Sequence, residues 1–343
     1  MLKVGIVGCG GIAAVHALAL SQMEQIELMA FADIKKDRAD AFVQKYGAKD
    51  AKSYASLEEM LEDSGIESLH ICTPHYLHVP MAIAALEKGI HVFMEKPPAI
   101  TRQQFAQLKE ASEKSSARLG ICFQNRYNAT TQKVDELLKS PEVGEILGAR
   151  AFVTWNRTKP YYTESGWRGS LETEGGGALI NQSVHTLDLL VRWLQKPVET
   201  EATMSNHHLK GVIEVEDALE AYIRFKTGEK DTVACFYATT AYIQNAPIMI
   251  EIACEKAVIR LEDTLVTCRY EDGRMDTYSC VKANIPGKSY WGAGHADCIA
   301  DFYDCVQTGR EYPNDLPHIE DTLQEMMDIY ESAREHKVVT FHK

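Results

Sequence analysis

A glycine-rich turn near the N-terminus is the first feature of the sequence that could perform chemistry. Residues 8–13 read G-x-G-x-x-A and lie between a β-type run at Leu2–Val7 and a helical pattern. Gly8 permits a tight turn, Gly10 lets the backbone approach a pyrophosphate, and Ala13 lets the helix pack close to the strand. Because the free N–H groups at the start of such a helix attract phosphate, this motif predicts a dinucleotide-binding turn.

An acidic residue at the matching distance supports that prediction. Asp33 lies 20 residues beyond Ala13, at the end of the second predicted strand, where its carboxylate can hold the ribose hydroxyls of an adenosine. Its negative charge should repel the 2′-phosphate of NADP, so NAD is the expected cofactor. Lys35, Lys36 and Arg38 follow closely and could accommodate that phosphate, which leaves NADP as the less favoured alternative.

Two side chains further along the chain could act on a substrate hydroxyl. Lys96 follows a predicted parallel strand, so its ammonium group should reach the crevice at the carboxyl edge of the sheet. There it could donate hydrogen bonds to a hydroxyl or carbonyl oxygen and stabilise the negative charge that develops as hydride moves. His185 carries an imidazole, a group suited to removing a hydroxyl proton. A solvated lysine before a loop and a structural histidine on a helix are the alternative interpretations of these two residues.

The pattern of strands and helices that must position these residues changes near residue 122. Before it, short β-type runs alternate with helical patterns, which indicates crossover connections and a parallel sheet with helices on both faces. The predicted strands are Leu2–Val7, Ile26–Ala32, 68–72, His91–Met94 and 118–122, and the predicted helices are 11–23, one through 41–46, 77–88 and one that begins after Thr101. We therefore predict an α/β dinucleotide-binding domain of the Rossmann type over residues 1–122.

Residues 123–343 show a different pattern. Successive strands over residues 215–282, with turn signals at 227–228 and 272–273, follow one another without intervening helices. Such a series predicts an antiparallel sheet and an α+β domain. The other elements expected here are a helix at 130–139, a strand at 146–155, a helix centred on 187–194 and a last helix at 318–336, which could pack on either domain.

Three further motifs make the resemblance to a known family specific. Residues 72–78 read C-T-P-H-Y-L-H, residues 94–98 read M-E-K-P-P, and residues 175–188 read G-G-G-A-L-I-N-Q-S-V-H-T-L-D. Together with the glycine turn, they resemble the glucose–fructose oxidoreductase, inositol dehydrogenase and rhizopine-catabolism (Gfo/Idh/MocA) family over essentially the whole chain. The resemblance implies a Rossmann domain followed by an α+β substrate-binding domain with a large open antiparallel sheet, whose outer face commonly forms homodimers or homotetramers.

The resemblance also assigns site residues. It places Lys96 and His185 at the reacting carbon, and Asn181 where the family commonly has an aspartate one helical turn before the histidine. Asn181 cannot take up a proton, but its amide can hydrogen-bond a sugar hydroxyl. The implied cofactor-binding residues are Gly8, Gly10, Gly11, Ile12, Asp33, Thr73, Pro74, His78, Glu95, Lys96 and Gln124.

Substrate-binding candidates combine these groups with arginines beside aromatic rings, which suit sugar rings and anionic groups. They are Lys96, Arg157, Trp167, Arg168, Asn181 and His185. Tyr290, Trp291 and His295 belong to, or follow, a glycine-bearing stretch that could also line the substrate site.

The composition argues against several other classes of protein. The 343 residues carry 36 Lys and Arg against 49 Asp and Glu, and this net charge of −13 does not favour nucleic-acid binding. No run of about 18 apolar residues indicates a membrane span, and the N-terminus lacks the features of a signal peptide. The nine scattered cysteines form no C-x-x-C pair, which indicates free thiols in a cytoplasmic protein. His75 and His78 lack an evident carboxylate partner, so no metal site is expected.

These observations predict an NAD-dependent enzyme that transfers hydride between the nicotinamide and a hydroxyl-bearing carbon of a sugar, sugar derivative or cyclic polyol. Two alternatives stay open. Some relatives in the family oxidise a glycoside transiently and return the hydride, which cleaves the glycosidic bond without net redox change. The other alternative is a nucleotide-sensing protein that kept the fold, although such a protein has no need of Lys96 and His185.

Overall fold

The computed structural model describes residues 1–280 and 294–341, and the chain forms two compact units. The first comprises Met1–Tyr127 and Asn284–His318, and the second comprises Asn128–Ala283 and Ile319–Lys343. The sequence placed the boundary slightly earlier, at 122/123, and assigned the later residues to the second domain, with a last helix that could pack on either. Among the described residues, the structure groups 294–318 with the first unit, because the helix His295–Thr308 packs against the first helix of the chain.

Helices and strands alternate through the first 127 residues, and strands predominate afterwards. Over the described residues the α-helices are α1 (Gly11–Ser21), α2 (Lys36–Tyr46), α3 (Leu57–Asp63), α4 (His78–Leu86), α5 (Arg102–Lys114), α6 (Ala129–Leu138), α7 (Lys159–Thr163), α8 (Val184–Leu194), α9 (His295–Thr308) and α10 (Leu316–Glu335). The strands are β1 (Leu2–Val7), β2 (Ile26–Ala32), β3 (Lys52–Tyr54), β4 (Ser68–Ile71), β5 (His91–Met94), β6 (Leu119–Ile121), β7 (Ile146–Thr154), β8 (Lys196–Ser205), β9 (Ala218–Thr227), β10 (Lys230–Thr239), β11 (Met249–Cys254), β12 (Ala257–Glu262), β13 (Leu265–Tyr270), β14 (Met275–Ser279) and β15 (Val339–Thr340).

The first unit is built on six parallel strands in the order β3-β2-β1-β4-β5-β6. One hydrophobic core joins Ile6, Phe31 and Phe93 of the sheet to Leu20 of α1 and Phe302 of α9. The strand order reverses between β1 and β4, and sheets of this kind bind ligands at the carboxyl ends of the strands at that point. The loops after β1, β4 and β5 therefore lie where a ligand is expected.

The second unit contains a nine-stranded sheet in the order β14-β13-β12-β11-β7-β10-β9-β8-β15. All neighbouring pairs are antiparallel except β7 and β10, which run parallel with Val233 opposite Gly148. Side chains of β9 alternate, so that Ile223 and Phe225 are buried while Tyr222 and Arg224 are exposed. This alternation is typical of a sheet with one face on the core and one face open.

Most of the predicted elements are confirmed, including the cap of α5, where the Thr101 hydroxyl accepts a hydrogen bond of 3.1 Å from the N–H of Gln104. The sequence analysis missed β3, α3, α7, β8, α9 and β15. A signal for α3 was present, because Ser56 caps that helix by accepting a hydrogen bond from the N–H of Glu59, at capping-box spacing. Over the part of the chain that the structure describes, no helix has the length and apolar character needed to cross a bilayer.

A buried carboxyl group in α10 makes the stability of the second unit dependent on pH. Glu325 is fully buried and contacts the hydroxyl of Thr200, while its Oε2 has no partner among the described atoms. Burial, and to a smaller degree the charge of Asp328, raises the pKa of Glu325 to about 8. Between its ordinary pKa and this value the native protein binds a proton that the unfolded chain has released, so the free energy of unfolding falls as the pH rises.

We therefore expect Glu325→Gln to stabilise the protein at about pH 8.5 by roughly 4 kcal/mol, and to have a much smaller effect near pH 5. Thermal unfolding of both proteins at the two pH values measures this. Glu335→Gln, at an exposed position of the same helix, is the matched control. An equal shift at both pH values would show that the ionisation of Glu325 is not the cause.

Candidate active site

The turn after β1 has the geometry that the glycine motif predicts. Gly8 adopts a φ of +85°, and a Cβ atom on it would lie 2.8 Å from the carbonyl carbon and oxygen of Cys72, so only glycine fits. A Cβ atom on Gly10 or Gly11 would meet no described atom within 4 Å. Helix α1 begins there without a side-chain cap and without an acidic residue in its first turn, so its N–H groups fit the pyrophosphate of a dinucleotide.

Asp33 connects the end of β2 to this turn. Its Oδ2 accepts a hydrogen bond of 2.8 Å from the N–H of Cys9, and its Oδ1 accepts one of 2.8 Å from the N–H of Lys35. Each carboxylate oxygen has a second lone pair, so these bonds orient the group and leave acceptor capacity for ribose hydroxyls. The next residue, Ile34, is 92% exposed and offers apolar surface beside the carboxylate, a feature that the sequence analysis missed.

His78, whose contact with the cofactor stays a prediction, connects two loops of the first unit through its ring nitrogens. It is fully buried, and its Nδ1 and Nε2 lie 2.7 Å and 2.9 Å from the carbonyl oxygens of Pro97 and Thr73. Burial lowers the pKa of His78, although these two carbonyl contacts oppose the shift. His78 therefore holds the loop after β4, which includes Pro74, next to the loop after β5.

Lys96 lies in the loop that follows β5. In the segment 92–100 it is the one residue that keeps partial exposure, and all the others are buried. It precedes Pro97, with which it forms a cis peptide bond. The backbone of this loop is thus held in the interior while the ammonium-bearing side chain retains access to the surface.

Behind Lys96 lies a buried chain of polar side chains that the sequence analysis missed. The Nε2 of His16 is 2.9 Å from Oε1 of Glu95, and its Nδ1 is 2.8 Å from Nδ1 of His70. The Nε2 of His70 is 2.8 Å from the hydroxyl of Tyr303, which in turn lies 3.0 Å from that of Ser68. These five residues come from α1, β4, α9 and the residue after β5, so the first unit is cross-linked by hydrogen bonds behind its ligand-binding edge.

These hydrogen-bonded side chains keep the neighbour of Lys96, Glu95, negatively charged. Burial alone would raise the pKa of Glu95, but the hydrogen bond and charge of His16 hold it well below its usual range. Burial keeps the pKa of His70 low and raises that of the Cys122 thiol. His16, Glu95 and Cys122 each offer one ligand-type atom within 4.8 Å of the others, a grouping that local sequence motifs do not reveal. A contact of Glu95 with the cofactor stays a prediction.

Asn181 and His185 lie at the entry to α8 in the second unit. Residues 178–183 form a π-helical turn and the regular helix begins at Val184, so the simple four-residue spacing expected between the two side chains does not apply. Within the segment 174–191, Asn181 and His185 are the residues that keep partial exposure. π-Helical turns are frequent at functional sites, and Asn181 lies within this one.

The predicted arginines gather around a tyrosine that the sequence analysis missed. The guanidinium carbons of Arg157 and Arg168 lie 5.1 Å and 4.6 Å from the ring centre of Tyr161. Arg168 also lies 4.6 Å from the ring of Trp167, and Gln182 donates a hydrogen bond of 2.9 Å to the Tyr161 hydroxyl. Gln182 is the neighbour of Asn181 in sequence, so the second unit brings cations, aromatic rings and the Asn181 segment together.

Two carboxylates that were not predicted anchor this segment from behind. Glu174 accepts hydrogen bonds from the N–H of Gly169 at 2.5 Å and from the side-chain amide of Asn181. Glu216 accepts hydrogen bonds of 2.9 Å from the N–H groups of Gly177 and Leu179. Glu216 therefore holds the end of the glycine run, and Glu174 holds the Asn181 side chain.

The remaining predicted residues are placed as follows. Gln124 is buried in the first unit, close to Cys122. His295 is also buried in the first unit, where burial lowers its pKa to about 4. Tyr290 and Trp291 lie outside the described residues. Metal binding by His75 and His78 receives no support, since the second of these histidines faces two backbone carbonyls.

The strand order of the first sheet, the glycine turn and Asp33 together define a nucleotide-binding protein of the Rossmann class. The family model described as oxidoreductase family, NAD-binding Rossmann fold, matches residues 2–123, and that of the GFO/IDH/MocA C-terminal domain matches residues 131–260. The chain therefore belongs to the Gfo/Idh/MocA oxidoreductase family and contains its NAD-binding fold, as the sequence motifs indicated.

Two of the curated relatives are named as sugar dehydrogenases. The chain is 31% identical over 206 residues to the glucose-6-phosphate 3-dehydrogenase of Bacillus subtilis, a match that covers 59% of this chain and 56% of the relative. It is 32% identical over 190 residues to the D-glucoside 3-dehydrogenase of Escherichia coli, covering 54% and 52%. The matched region thus spans about half the length of each of these relatives.

A solved structure resembles the whole chain. The WlbA dehydrogenase from Bordetella pertussis, in complex with NADH and UDP-GlcNAcA, superposes with a TM-score of 0.85 at 27% identity. The match covers 100% of this chain and 99% of the other. The two-sheet architecture is therefore shared over the full length.

Proposed function

We propose that the protein is an NAD-dependent dehydrogenase that oxidises a hydroxyl-bearing carbon of a sugar, sugar derivative or cyclic polyol, or reduces the corresponding ketone. The observation that carries this proposal is the pattern of exposure. Lys96 in the segment 92–100, and Asn181 and His185 in the segment 174–191, are the polar residues left accessible in otherwise buried stretches. A purely structural lysine, asparagine and histidine would not need this access.

Each residue has a role in the proposed reaction. Lys96 donates hydrogen bonds to the reacting oxygen and stabilises the negative charge that grows on it. His185 takes the hydroxyl proton in the oxidative direction, and Asn181 orients the hydroxyl by a hydrogen bond. When bound, NAD supplies the nicotinamide carbon that accepts the hydride. Gly8, Gly10, Gly11, Ile12 and Asp33 hold the cofactor's pyrophosphate and ribose, and Thr73, Pro74, Glu95 and Gln124 complete the binding loops.

The proposed substrate carries an anionic group. Arg157, Arg168 and Trp167 present guanidinium groups and aromatic surface within one cluster. Guanidinium groups match phosphate and carboxylate, and aromatic rings pack on the apolar face of a sugar. One relative is named for a sugar phosphate, and one similar structure holds UDP-GlcNAcA; both of these molecules are anionic. Glycoside cleavage by transient oxidation, the alternative left open by the sequence, is not favoured, because the relatives named above are dehydrogenases.

Assembly and compartment are also part of the proposal. The strand register places four exposed apolar side chains on the open face of the nine-stranded sheet. They are Tyr222, Val233, Val258 and Met275. Exposed apolar surfaces of this kind mark protein–protein contacts, and a homodimer or a homotetramer would bury this one. The nine cysteines are all free thiols, which supports a reducing, cytoplasmic setting.

The test is the absorbance of reduced nicotinamide when the purified protein is mixed with NAD, or separately with NADP, and a panel of substrates. The panel contains inositols, aldoses, uronates, glycosides, sugar phosphates and nucleotide-linked uronates. We expect a rise with NAD and a sugar that carries phosphate or carboxylate. A rise with NADP alone would contradict the role of Asp33. Binding of NAD without any rise, together with aglycone release from glycosides, would replace the dehydrogenase by the glycoside-cleaving alternative.

A further inference from the structure

Two buried histidines face each other behind the ligand-binding edge of the first sheet, and the proposed function gives them no role. Nδ1 of His16 lies 2.8 Å from Nδ1 of His70, and Nε2 of His16 lies 2.9 Å from Oε1 of Glu95. Nε2 of His70 lies 2.8 Å from the hydroxyl of Tyr303, which lies 3.0 Å from that of Ser68. We call these five residues the histidine network. All are buried, so they exchange hydrogen bonds with one another away from water.

The hydrogen bond between His16 and Glu95 has a fixed direction, whereas the rest of the network does not. Glu95 is ionised and its carboxylate only accepts, so Nε2 of His16 carries a hydrogen atom. The two Nδ1 atoms share one hydrogen between them, which either ring can carry. The neutral ring of His70 and the hydroxyls of Tyr303 and Ser68 can each donate and accept. The network is therefore complete in two opposite directions.

The two directions differ by one proton on His16. When His16 is neutral, its Nδ1 accepts from Nδ1 of His70, and Nε2 of His70 accepts from the hydroxyl of Tyr303. When His16 is charged, its Nδ1–H donates to His70, and His70 then donates from Nε2 to Tyr303, whose hydroxyl turns to Ser68. His70 stays neutral in both states and changes only its tautomer. His16 thus gains a proton in the interior without a ring N–H being left unpaired.

The groups around His16 keep their own charges fixed. Burial holds the pKa of His70 well below its ordinary value and raises that of the Cys122 thiol, so both side chains stay neutral. Burial also lowers the pKa of His295, whose ring centre lies 6.3 Å from that of His16, to about 4. The charged and titratable groups that surround His16 and Glu95 all belong to the first unit, and they are His70, Lys96, Cys122 and His295.

We propose that His16 takes up a proton when the nicotinamide of the bound cofactor is reduced, and that the histidine network reverses its direction to hold that proton. The nicotinamide ring is positively charged in NAD and neutral in NADH, so reduction removes a positive charge, which a proton on His16 replaces. The hydride comes from the substrate, and the proton on His16 comes from water. The reversal of the network stands by itself. Its link to the cofactor rests on the proposed function, which puts Lys96, the neighbour of Glu95, at the reacting carbon.

The first test observes the reversal without any ligand. The chain contains twelve histidines, so selective ¹⁵N labelling of histidine gives a simple NMR spectrum of the full-length protein. The signals of His16 and His70 are assigned by their loss in His16→Gln and His70→Asn, and nitrogen shifts distinguish the two neutral tautomers from the charged ring. We expect His70 to change from the Nδ1–H to the Nε2–H tautomer as the pH falls, at the midpoint at which His16 becomes charged. A His70 tautomer that is the same from about pH 5 to about pH 9 would overturn the proposal.

The second test counts the protons that accompany cofactor binding. Titration calorimetry with NADH, and separately with NAD, in two buffers of different ionisation enthalpy gives these numbers for the natural protein. Charges about 10 Å apart at an effective dielectric constant of about 20 change a proton affinity about tenfold. We therefore expect NADH to bind with up to about half a proton more than NAD. By linkage, the affinity for NADH relative to NAD should rise about tenfold as the pH falls through the His70 midpoint. Equal proton numbers for the two cofactors would contradict the link to the cofactor.

His70→Leu and His70→Asn form a matched pair of variants. Leucine leaves a second N–H on His16 without an acceptor, so the extra proton with NADH should disappear. Asparagine puts an amide near the lost Nδ1 and can present its NH2 group or its oxygen, so the extra proton should return. His208→Asn, at an exposed position of the second unit, is the control and should match the natural protein. An extra proton that persists in His70→Leu would show that the network does not hold it.

A further variant and the choice of ligands keep the tests decisive. If His70→Leu does not fold, Tyr303→Phe replaces it. Phenylalanine keeps the ring but leaves the Nε2–H of the reversed His70 without its acceptor, so the extra proton should again be lost. Neither NMR nor calorimetry with NAD and NADH needs a sugar. A substrate panel without any turnover would therefore contradict the proposed dehydrogenase and leave the reversal of the network to be decided by its own experiment.

Discussion

Lys96→Met should lower kcat by about a thousandfold while changing the dissociation constant of NAD by less than about threefold. The side chain follows β5 at the carboxyl edge of the sheet and is the accessible residue of an otherwise buried segment. Loss of one preorganised donor to a developing oxyanion costs about two to three orders of magnitude in other enzymes, and loss of a full positive charge lies at the upper end of that range. Methionine keeps the length and apolar character of the lysine side chain but removes the ammonium group.

Two measurements decide this prediction. Steady-state kinetics gives kcat, and titration of NAD by the quenching of protein fluorescence gives its affinity. Lys88→Met, at an exposed position after α4 in the same unit, is the matched control and should leave both unchanged. Equal losses of turnover and of NAD affinity in Lys96→Met would assign the lysine to cofactor binding or to the fold of the loop.

Gly177→Ala should destabilise the second unit by at least about 3 kcal/mol, the upper range for overpacked sites. A Cβ atom on Gly177 would lie 2.1 Å from the carbonyl oxygen of Glu216 and 2.9 Å from Cγ2 of Val215. The first contact is to backbone, and the N–H of Gly177 also bonds the Glu216 side chain, so neither side can move without breaking that hydrogen bond. Because the π-helical turn begins at the next residue, turnover should be lost as well.

Differential scanning calorimetry of the variant checks this expectation. Gly11→Ala is the folding control, because a Cβ atom there meets nothing within 4 Å among the described atoms and alanine favours the helix that begins at this residue. An unchanged melting temperature for Gly177→Ala would mean that the glycine run can shift away from Glu216, and would remove the rigid support that we assign to Asn181.

The site residues that could be predicted from the sequence are those that belong to local motifs. Gly8, Asp33 and Lys96 each stand at the end of a strand, so strand order and motif spacing were sufficient to bring them to one edge of the sheet. The parallel sheet itself followed from alternation of strands and helices. His185 and Asn181 were found through the glycine run that precedes them, but the expectation that one helical turn separates them does not apply, because a π-helical turn changes the spacing.

Contacts distant in sequence account for what was missed. Tyr303 reaches His70 across 233 residues, and helix α9, which carries Tyr303, had no motif to mark it. Glu174 is close to Asn181 in sequence, but its importance lies in full burial and in the hydrogen bond to Gly169, neither of which a residue pattern reveals. Tyr161 was missed because its contacts with two arginine side chains form only in the folded protein.

The parallel pairing of β7 with β10 has a consequence for synthesis of the protein. β7 is the middle strand of the second sheet, yet both of its neighbours, β10 and β11, come later in the chain. At about 5–20 residues per second, the roughly 85 residues between the end of β7 and the end of β10 take on the order of 4–17 s to make. During that interval both edges of β7 are without their partner strands, so its backbone N–H and C=O groups depend on water until β10 and β11 have been made.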